Sequence, residues 1–301
     1  MKEALDETRR YLESERARAT VAEDPYWPKW DSPWWRMLLL HEMGLAREIP
    51  SAVVEGLVTA LATKVQHFFP IRAEEIPPGA DPYRSFPCHC QLGCVYQVLA
   101  ACGVDVDARL PWIRPWFLKW QLPDGGLNCD EAVYTKPTPR SSIVSTLPVL
   151  EAVLLATRRP FTDEEVKLLD AGARYLIERR LWRSVSKGGA PIDEAWTKPC
   201  FPRFYHYDIL RGLTFLRRWS KRLDRPLPES AVAEAKELLA AQLDAEGRLA
   251  PGRRAFEGAK TRVRDASGAW VRGESRSFEL LDAVSAPGVA SSWLTAEWRG
   301  S

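Results

Sequence analysis

The stretch FPCHCQLGC, residues 86–94, concentrates thiol and imidazole groups in one short segment. Cys88, His89 and Cys90 are consecutive, and Cys94 follows one helical turn after Cys90. Thiolates and imidazoles bind zinc, and a thiolate at a helix start is also a nucleophile. Consecutive side chains do not easily all reach one ion, and the segment lacks the C-x-x-C pair of structural zinc sites. We therefore expect the stretch to supply part of a site, with Cys94 as a small core residue.

Further polar residues stand at or just before the starts of predicted helices. Helix N-termini present unpaired N–H groups and the positive end of the helix dipole, which suit anions and polarised ligands. If these starts gather around one opening, their side chains form a site. The predicted catalytic residues are Cys129, Asp130, His206 and Asp208, and the predicted substrate-binding residues are His89, Cys90, Ser142, Tyr205 and Glu279.

The composition limits the class of protein. The chain has 301 residues, of which 46% are hydrophobic and 27% charged, as in a globular protein with an ample core. A net charge of +2 predicts no nucleic-acid partner, because it provides no strong field for a polyanion. No apolar run is long enough to predict a membrane-spanning segment, and the charged N-terminus lacks a signal-peptide core. We expect a cytoplasmic protein with reduced cysteines.

Helical periodicity recurs along the chain, and no segment alternates convincingly as a strand, which predicts an all-α fold. One set of predicted helices is apolar around most of its circumference and is expected inside the fold. This set comprises Pro33–Met43, His89–Cys102, Ser141–Ala156, Tyr205–Trp219 and Ser277–Val284. A second, more amphipathic set is expected outside and comprises Ser51–Val65, Leu110–Gln121, Thr162–Arg180 and Glu229–Leu243.

Alternation of inner and outer helices predicts an α/α toroid, or barrel, of about five helix pairs. We expect one domain over residues 1–301, with 1–22 as a polar N-terminal helix and 250–275 as a mobile loop. The aromatic stretches 24–35 and 110–120 would either pack between helices or line a hydrophobic cavity.

Two outer helices end in a similar way. Gln121 precedes Asp124, Gly125 and Leu127, and the segment from Gln242 to Leu249 repeats a glutamine, an acidic turn with glycine, and a leucine. Such a glutamine can hydrogen-bond the unpaired backbone groups at a helix end, and glycine permits the positive φ that reverses the chain.

This layout resembles the QW repeat of the terpenoid cyclase and protein prenyltransferase superfamily, although leucine stands where that repeat has tryptophan. QLPDGGLNCD, RSSIVSTLPVLEAVL, YLIERRLWRS and FPRFYHYDILRGL look similar to uncharacterised bacterial squalene-cyclase-like or prenyltransferase-like proteins. The resemblance implies a toroid and an enzyme acting on a hydrophobic, isoprenoid-type small molecule in a central cavity. It also implies a possible zinc ion, with His206 as a ligand and Cys129 as the nearest substitute for the family's cysteine.

Other functions stay open at this point. Asp130 or Asp208 would serve as the acid in an acid-initiated cyclisation, and Cys88 or Cys90 as the thiolate in thiol chemistry. A zinc- or thiol-dependent tailoring enzyme for a substrate unrelated to isoprenoids is one alternative. A non-catalytic toroid that binds a lipid or a protein partner is another.

Overall fold

The computed structural model describes residues 1–300, which form helices and one small hairpin. The helices are α1 (Lys2–Glu13), α2 (Glu15–Glu23), α3 (Pro33–Glu42), α4 (Ser51–Thr63), α5 (His89–Ala101), α6 (Val106–Arg109), α7 (Ile113–Lys119), α8 (Ile143–Ala156), α9 (Asp163–Glu178), α10 (Ile209–Leu223), α11 (Ala233–Ala240), α12 (Glu279–Val284) and α13 (Ser292–Gly300). None of these described helices combines the length and apolarity needed to cross a bilayer. The mostly helical prediction is confirmed.

The predicted N-terminal helix over residues 1–22 is two helices, α1 and α2. Ser14 separates them with an extended backbone, and its Oγ accepts a hydrogen bond of 3.1 Å from the Ala17 N–H at the start of α2. A serine cap of this kind satisfies one of the unpaired donors at a helix start, so it restarts the helix in a new direction.

The tightest helix contact joins α5 to α8. A Cβ atom built on Gly93 would lie only 2.4 Å from the carbonyl carbon of Pro148, so the two backbones touch where any larger residue would separate them. Gln97, one turn further along α5, donates to the Pro148 carbonyl at 3.1 Å. Close packing and this hydrogen bond fix α5 against α8. The residues at the start of α5 are therefore held in place as well.

The glutamine corner after α7 closes as the sequence predicts. Gln121 Nε2 donates to the Gly125 carbonyl at 2.8 Å and to the Leu168 carbonyl of α9 at 2.9 Å. Gly125 has φ +93°, and its position against the α9 backbone leaves no room for a side chain. The glutamine therefore ties a helix end to its own turn and to the next helix.

A second glutamine corner follows α11, and its glutamine bonds its own helix instead of its own turn. Gln242 Nε2 donates to the Leu238 carbonyl at 2.7 Å and to the Thr197 carbonyl at 3.0 Å. Gly247 reverses the chain with φ +69°. Each glutamine thus bonds one carbonyl nearby in sequence and one on a distant segment.

The repetition extends into the helix after each corner. Leu127 N–H donates to Thr146 Oγ1 in α8 at 2.8 Å, and Leu249 N–H donates to Thr295 Oγ1 in α13 at 3.0 Å. In this contact α13 corresponds to α8. The predicted inner helix Ser277–Val284 contains α12, which packs against the N-terminal α1.

A cavity of about 630 Å³ lies among five helices. Its walls come from α3, α5, α8, α10 and α13, together with the loop from Phe201 to Phe204. We call it the five-helix cavity. Of the five predicted inner helices, the first four line it, and α13 takes the place of the fifth.

The prediction of a loop over 250–275 also needs correction. The strands β1 (Lys260–Arg264) and β2 (Trp270–Glu274) form an antiparallel hairpin in which Arg262 pairs with Arg272. The segment packs on the loop before α3: Lys29 N–H donates to the buried Thr261 Oγ1 at 2.6 Å, and Trp30 Nε1 donates to the Phe256 carbonyl at 3.0 Å. The short strands alternate too weakly to be detected from sequence.

Candidate metal centre

Three cysteine side chains meet near the start of α5. The Sγ atoms of Cys88, Cys90 and Cys129 all lie within 4.8 Å of one another. The separation is 3.4 Å between Cys88 and Cys90 and 3.7 Å between Cys90 and Cys129. We call this group the thiol centre.

Local structure places each sulphur. Cys88 is the N-cap residue of α5, and Cys90 lies in its first turn. Cys129 comes from the loop between α7 and α8, where its N–H donates to Ser145 Oγ at 3.1 Å. The loop that follows the glutamine corner therefore carries Cys129 to the α5 start.

The donor set fits a thiophilic ion. Ligands placed tetrahedrally at about 2.3 Å from a zinc ion lie about 3.8 Å from one another. The two measured sulphur separations, 3.4 and 3.7 Å, are close to that value. Among residues 1–300, the three cysteines form the only such group of possible ligands. Three protein ligands with one free position are typical of catalytic zinc sites, whereas structural sites have four.

A cavity of about 370 Å³ borders the thiol centre and is lined by Cys88 and Cys129. Its apolar wall is formed by aromatic and aliphatic residues, namely Tyr26, Trp27, Ile71, Ile76 and Phe86. Arg72, Gln91 and Glu131 add polar groups. We call it the thiol cavity. A ligand in this cavity would have access to two of the three sulphurs.

The three thiols share their protons unequally. Hydrogen bonds from Cys88 and Cys90 hold the pKa of Cys129 well below its usual value. Hydrogen bonding to Cys129, together with burial, raises the pKa of Cys88 and Cys90. One of the three cysteines is therefore favoured as a thiolate. Deprotonation of a second or third cysteine requires a nearby cation, which offsets the added negative charge.

A cation is supplied by Lys29. Its Nζ donates to the Tyr205 hydroxyl at 2.8 Å and lies 5.0–6.0 Å from the ring centroids of Tyr26, Trp27, Trp30, Trp35 and Tyr205. Burial lowers the pKa of Lys29, and the charges of Cys90 and Cys88 act in the opposite direction. The predicted substrate-binding residue Tyr205 therefore holds the lysine where the charges of Cys90 and Cys88 act on it.

His89 is adjacent to the thiols in sequence, but its ring is fully engaged elsewhere. Trp116 Nε1 donates to His89 Nδ1 at 3.1 Å, so the proton of the neutral ring lies on Nε2, which contacts the Tyr134 hydroxyl at 3.2 Å. Burial lowers the pKa of His89 to about 4. His89 therefore fixes the start of α5 and is a neutral packing residue.

The predicted pairing of Cys129 with His206 as metal ligands is not what the structure shows. His206 lies outside the group of potential ligands around Cys129. Its ring stacks on Tyr205 with centroids 4.4 Å apart, and its buried Nε2 has no hydrogen-bond partner among the described residues. Burial lowers the pKa of His206 to about 3, so the ring is neutral. Cys88 and Cys90 replace it as neighbours of Cys129.

The predicted acid Asp208 has a structural role. It is fully buried at the N-cap of α10 and accepts a hydrogen bond of 2.7 Å from Arg203 Nε. The pKa of Asp208 is lowered despite burial, because Arg203 and the N–H groups of Cys200 and Arg211 stabilise its charge. A carboxylate with a lowered pKa is ionised at neutral pH and has no proton to donate, so Asp208 does not fit the role of catalytic acid.

The other predicted site residues are not among the three members of the thiol centre. Asp130 is exposed, and its Oδ1 caps the turn Glu131–Thr135 by accepting from the Ala132 N–H at 3.1 Å. Ser142 is the N-cap residue of α8 and is half-buried. Glu279 is exposed at the start of α12, which does not line the five-helix cavity. Glu279 lines neither the five-helix cavity nor the thiol cavity.

The sequence indicated that the stretch around His89 supplies part of a site, and the cysteines on either side of it at a helix start were the signal. It did not indicate that Cys88 and Cys90, instead of His206, are the neighbours of Cys129, nor that Lys29 is the associated cation. It also did not indicate the ion pair between Arg211 and Glu151 at the five-helix cavity. These contacts join segments distant in the chain, so no local pattern reveals them.

Comparison of the chain with protein-family models, with curated proteins and with solved structures finds no match. The thiol centre and the cavities therefore carry the functional assignment.

Proposed function

We propose that the chain folds as an α/α toroid with α3, α5, α8, α10 and α13 as its inner helices. Two observations support this arrangement. These five helices line one cavity, and the glutamine corners before α8 and α13 make equivalent hydrogen bonds. The proposed toroid keeps the predicted outer helices α4, α7, α9 and α11.

We further propose that the protein is a zinc-dependent transferase that attaches an apolar group to a thiol. The supporting observation is the thiol centre: three sulphurs within 4.8 Å of one another, two of whose separations are close to the tetrahedral value, with the thiol cavity at their side. When bound by three thiolates, zinc gives a centre with a net charge of −1, which keeps a fourth ligand nucleophilic and makes the ion a weak Lewis acid.

The protein residues have separate roles in this reaction. Cys88, Cys90 and Cys129 hold the ion. Lys29 offsets the negative charge of the centre from within its aromatic surroundings. Tyr26 and Trp27 contact the apolar part of the electrophile and stabilise positive charge that develops on its carbon by cation–π attraction.

The proposed reaction is a substitution at carbon. The sulphur of a substrate thiol forms a bond to that carbon, and the bond from carbon to the leaving group breaks. The leaving group departs with the electron pair, and the thiol proton passes to solvent. An isoprenoid-type electrophile is one member of this class, and a tailoring reaction on another apolar electrophile uses the same groups.

The metal is tested by measuring zinc in the purified protein. We expect one equivalent of zinc per chain and loss of the zinc in Cys129→Ser. The zinc affinity of this variant should fall by more than the roughly 10–100-fold that is typical when a partner outside the ligand set is replaced. Cys94→Ser and His206→Ala are the controls, because neither residue belongs to the thiol centre. Zinc retained by Cys129→Ser, or lost equally in His206→Ala, contradicts the assignment.

The open coordination position is tested with the cobalt(II)-substituted protein. Addition of 2-mercaptoethanol should increase the sulphur-to-cobalt charge-transfer absorption, because a fourth thiolate joins the ion. An unchanged spectrum means that the ion is already four-coordinate. That result favours a structural zinc in a non-catalytic toroid that binds a lipid or protein partner.

A further inference from the structure

The five-helix cavity is separate from the thiol cavity, and none of the thiol-centre cysteines lines it. From its charges and helix ends we propose that the five-helix cavity binds a small organic cation, an amine with an apolar body. This proposal does not depend on zinc or on the transferase reaction.

Charged side chains are deeply buried around this cavity. Glu151 and Arg211 face each other in a two-pronged ion pair with separations of 2.9 and 2.6 Å. Arg203 forms the corresponding pair with Asp208 and also donates to Glu297 at 2.6 Å. Both guanidinium groups are thereby fully occupied by carboxylates and, for Arg211, by backbone carbonyls.

Among residues 1–300, Glu42 has no cationic partner of this kind. Within that part of the chain its two carboxyl oxygens accept only the backbone N–H groups of Arg203 and Phe204, at 2.7 and 2.6 Å. Burial raises the pKa of Glu42 to about 7. Four carboxyl groups thus share two arginines, and a ligand cation beside Glu42 would compensate the excess.

Three helix ends at this cavity act in the same direction. Its walls include last-turn residues of α3, α5 and α8, among them His41, Ala101 and Ala156. In contrast, α13 lines the cavity along its length, and α10 lines it from Arg211 in its first turn onward. Helix C-termini carry a partial negative charge that favours cations within the last turn. Arg158 and Arg218 also line the cavity, but both are exposed, so water screens their charges.

Neutral groups complete a binding site. Thr214 is 4% exposed and lines the cavity, and its Oγ1 has no hydrogen-bond partner among the described residues. A buried hydroxyl of this kind is normally satisfied, so it indicates a missing partner. Phe201, Phe204 and Trp293 supply the apolar surface for the body of the amine.

The proposal is tested by calorimetric titration of the full chain with benzylamine. Benzyl alcohol, which has nearly the same shape without the charge, is the matched ligand, and benzoate carries the opposite charge. We expect saturable benzylamine binding, about tenfold or more tighter than that of benzyl alcohol, because a charged hydrogen bond to a buried carboxyl is lost. Benzoate should not bind.

Two variants locate the binding. Glu42→Gln removes the charge, and Ala100→Phe fills the cavity with a ring while leaving its charged groups intact; each should weaken benzylamine binding by about tenfold or more. Glu279→Gln, on exposed α12, should have no effect. Equal binding of benzylamine and benzyl alcohol, tighter binding of benzoate, or unchanged binding in Ala100→Phe overturns the proposal. Ala100→Phe keeps the test valid if Glu42→Gln fails to fold.

Discussion

Thr146 and Thr295 make the same contact in two different helices. Each Oγ1 accepts a hydrogen bond from the buried N–H of the leucine that follows a glutamine corner, at 2.8 and 3.0 Å. In both places the backbone returns as well: Ser142 N–H donates to the Leu127 carbonyl, and Ser291 N–H donates to the Leu249 carbonyl. The corner and the next helix therefore form one unit that occurs twice.

Replacing either threonine should destabilise the protein by a similar amount. Thr146→Val and Thr295→Val each leave a buried leucine N–H unpaired, which costs about 1–3 kcal/mol. Thr63→Val is the control, because its hydroxyl is exposed and bonds only its own helix. Urea unfolding measures the free energies. Thr295→Val costing no more than Thr63→Val would show that the two units are not equivalent.

Two glycines in helices should respond to alanine in opposite directions. Gly93→Ala places a methyl group 2.4 Å from the Pro148 backbone, so α5 and α8 must separate, at a cost of about 1–3 kcal/mol or more. In Gly56→Ala the new Cβ meets Val21 at an ordinary 3.6 Å. That change should stabilise α4 by about 0.5–1 kcal/mol. Thermal unfolding of the two variants checks the sign, and a neutral Gly93→Ala would contradict the close helix contact.

Two buried histidines should differ when replaced by phenylalanine. His206→Phe removes an unpartnered ring nitrogen while keeping the stack on Tyr205, so stability near pH 7.5 should change by less than about 1 kcal/mol. His89→Phe leaves the Trp116 indole N–H without an acceptor and should cost about 1–3 kcal/mol. Equal costs would mean that the His89 hydrogen bonds contribute nothing.

The same His206 variant should alter the response to acid. Burial lowers the pKa of His206 from 6.5 to about 3, so the unfolded chain binds the proton first as the pH falls. The neutral ring therefore contributes stability that is present above pH 6.5 and is lost as the pH falls toward 3. Within that range the wild type should lose about 1.4 kcal/mol per pH unit relative to His206→Phe. Parallel stability curves for the two proteins contradict the assigned shift.

Local features of the sequence predicted much of the helical structure. The amphipathic periodicity of Thr162–Arg180 predicted α9, and in the structure the Glu165 N–H bonds Thr162 Oγ1 at the start of this helix. Asp105 caps α6 in the same way. Such signals lie within a few residues of one another, so they can be read without knowing the tertiary structure.

Long-range relationships could not be predicted in this way. The contact between Cys90 and Cys129 depends on how α5 meets the corner after α7. The pairing of Arg211 with Glu151 depends on the packing of α10 beside α8. Equally, Ser277–Val284 has an apolar character that suits an inner helix, but packing against α1 buries it elsewhere. Burial alone does not determine which partner covers a helix.

The parallel arrangement of α3, α5 and α8 has an electrical consequence. Their first turns lie toward the aromatic and thiol end, and their last turns line the five-helix cavity. Aligned peptide dipoles make the first end positive and the second negative. The aligned helix dipoles therefore favour anions at the end where the thiol centre lies and cations in the five-helix cavity. This preference comes from the backbone and adds to that of the side chains.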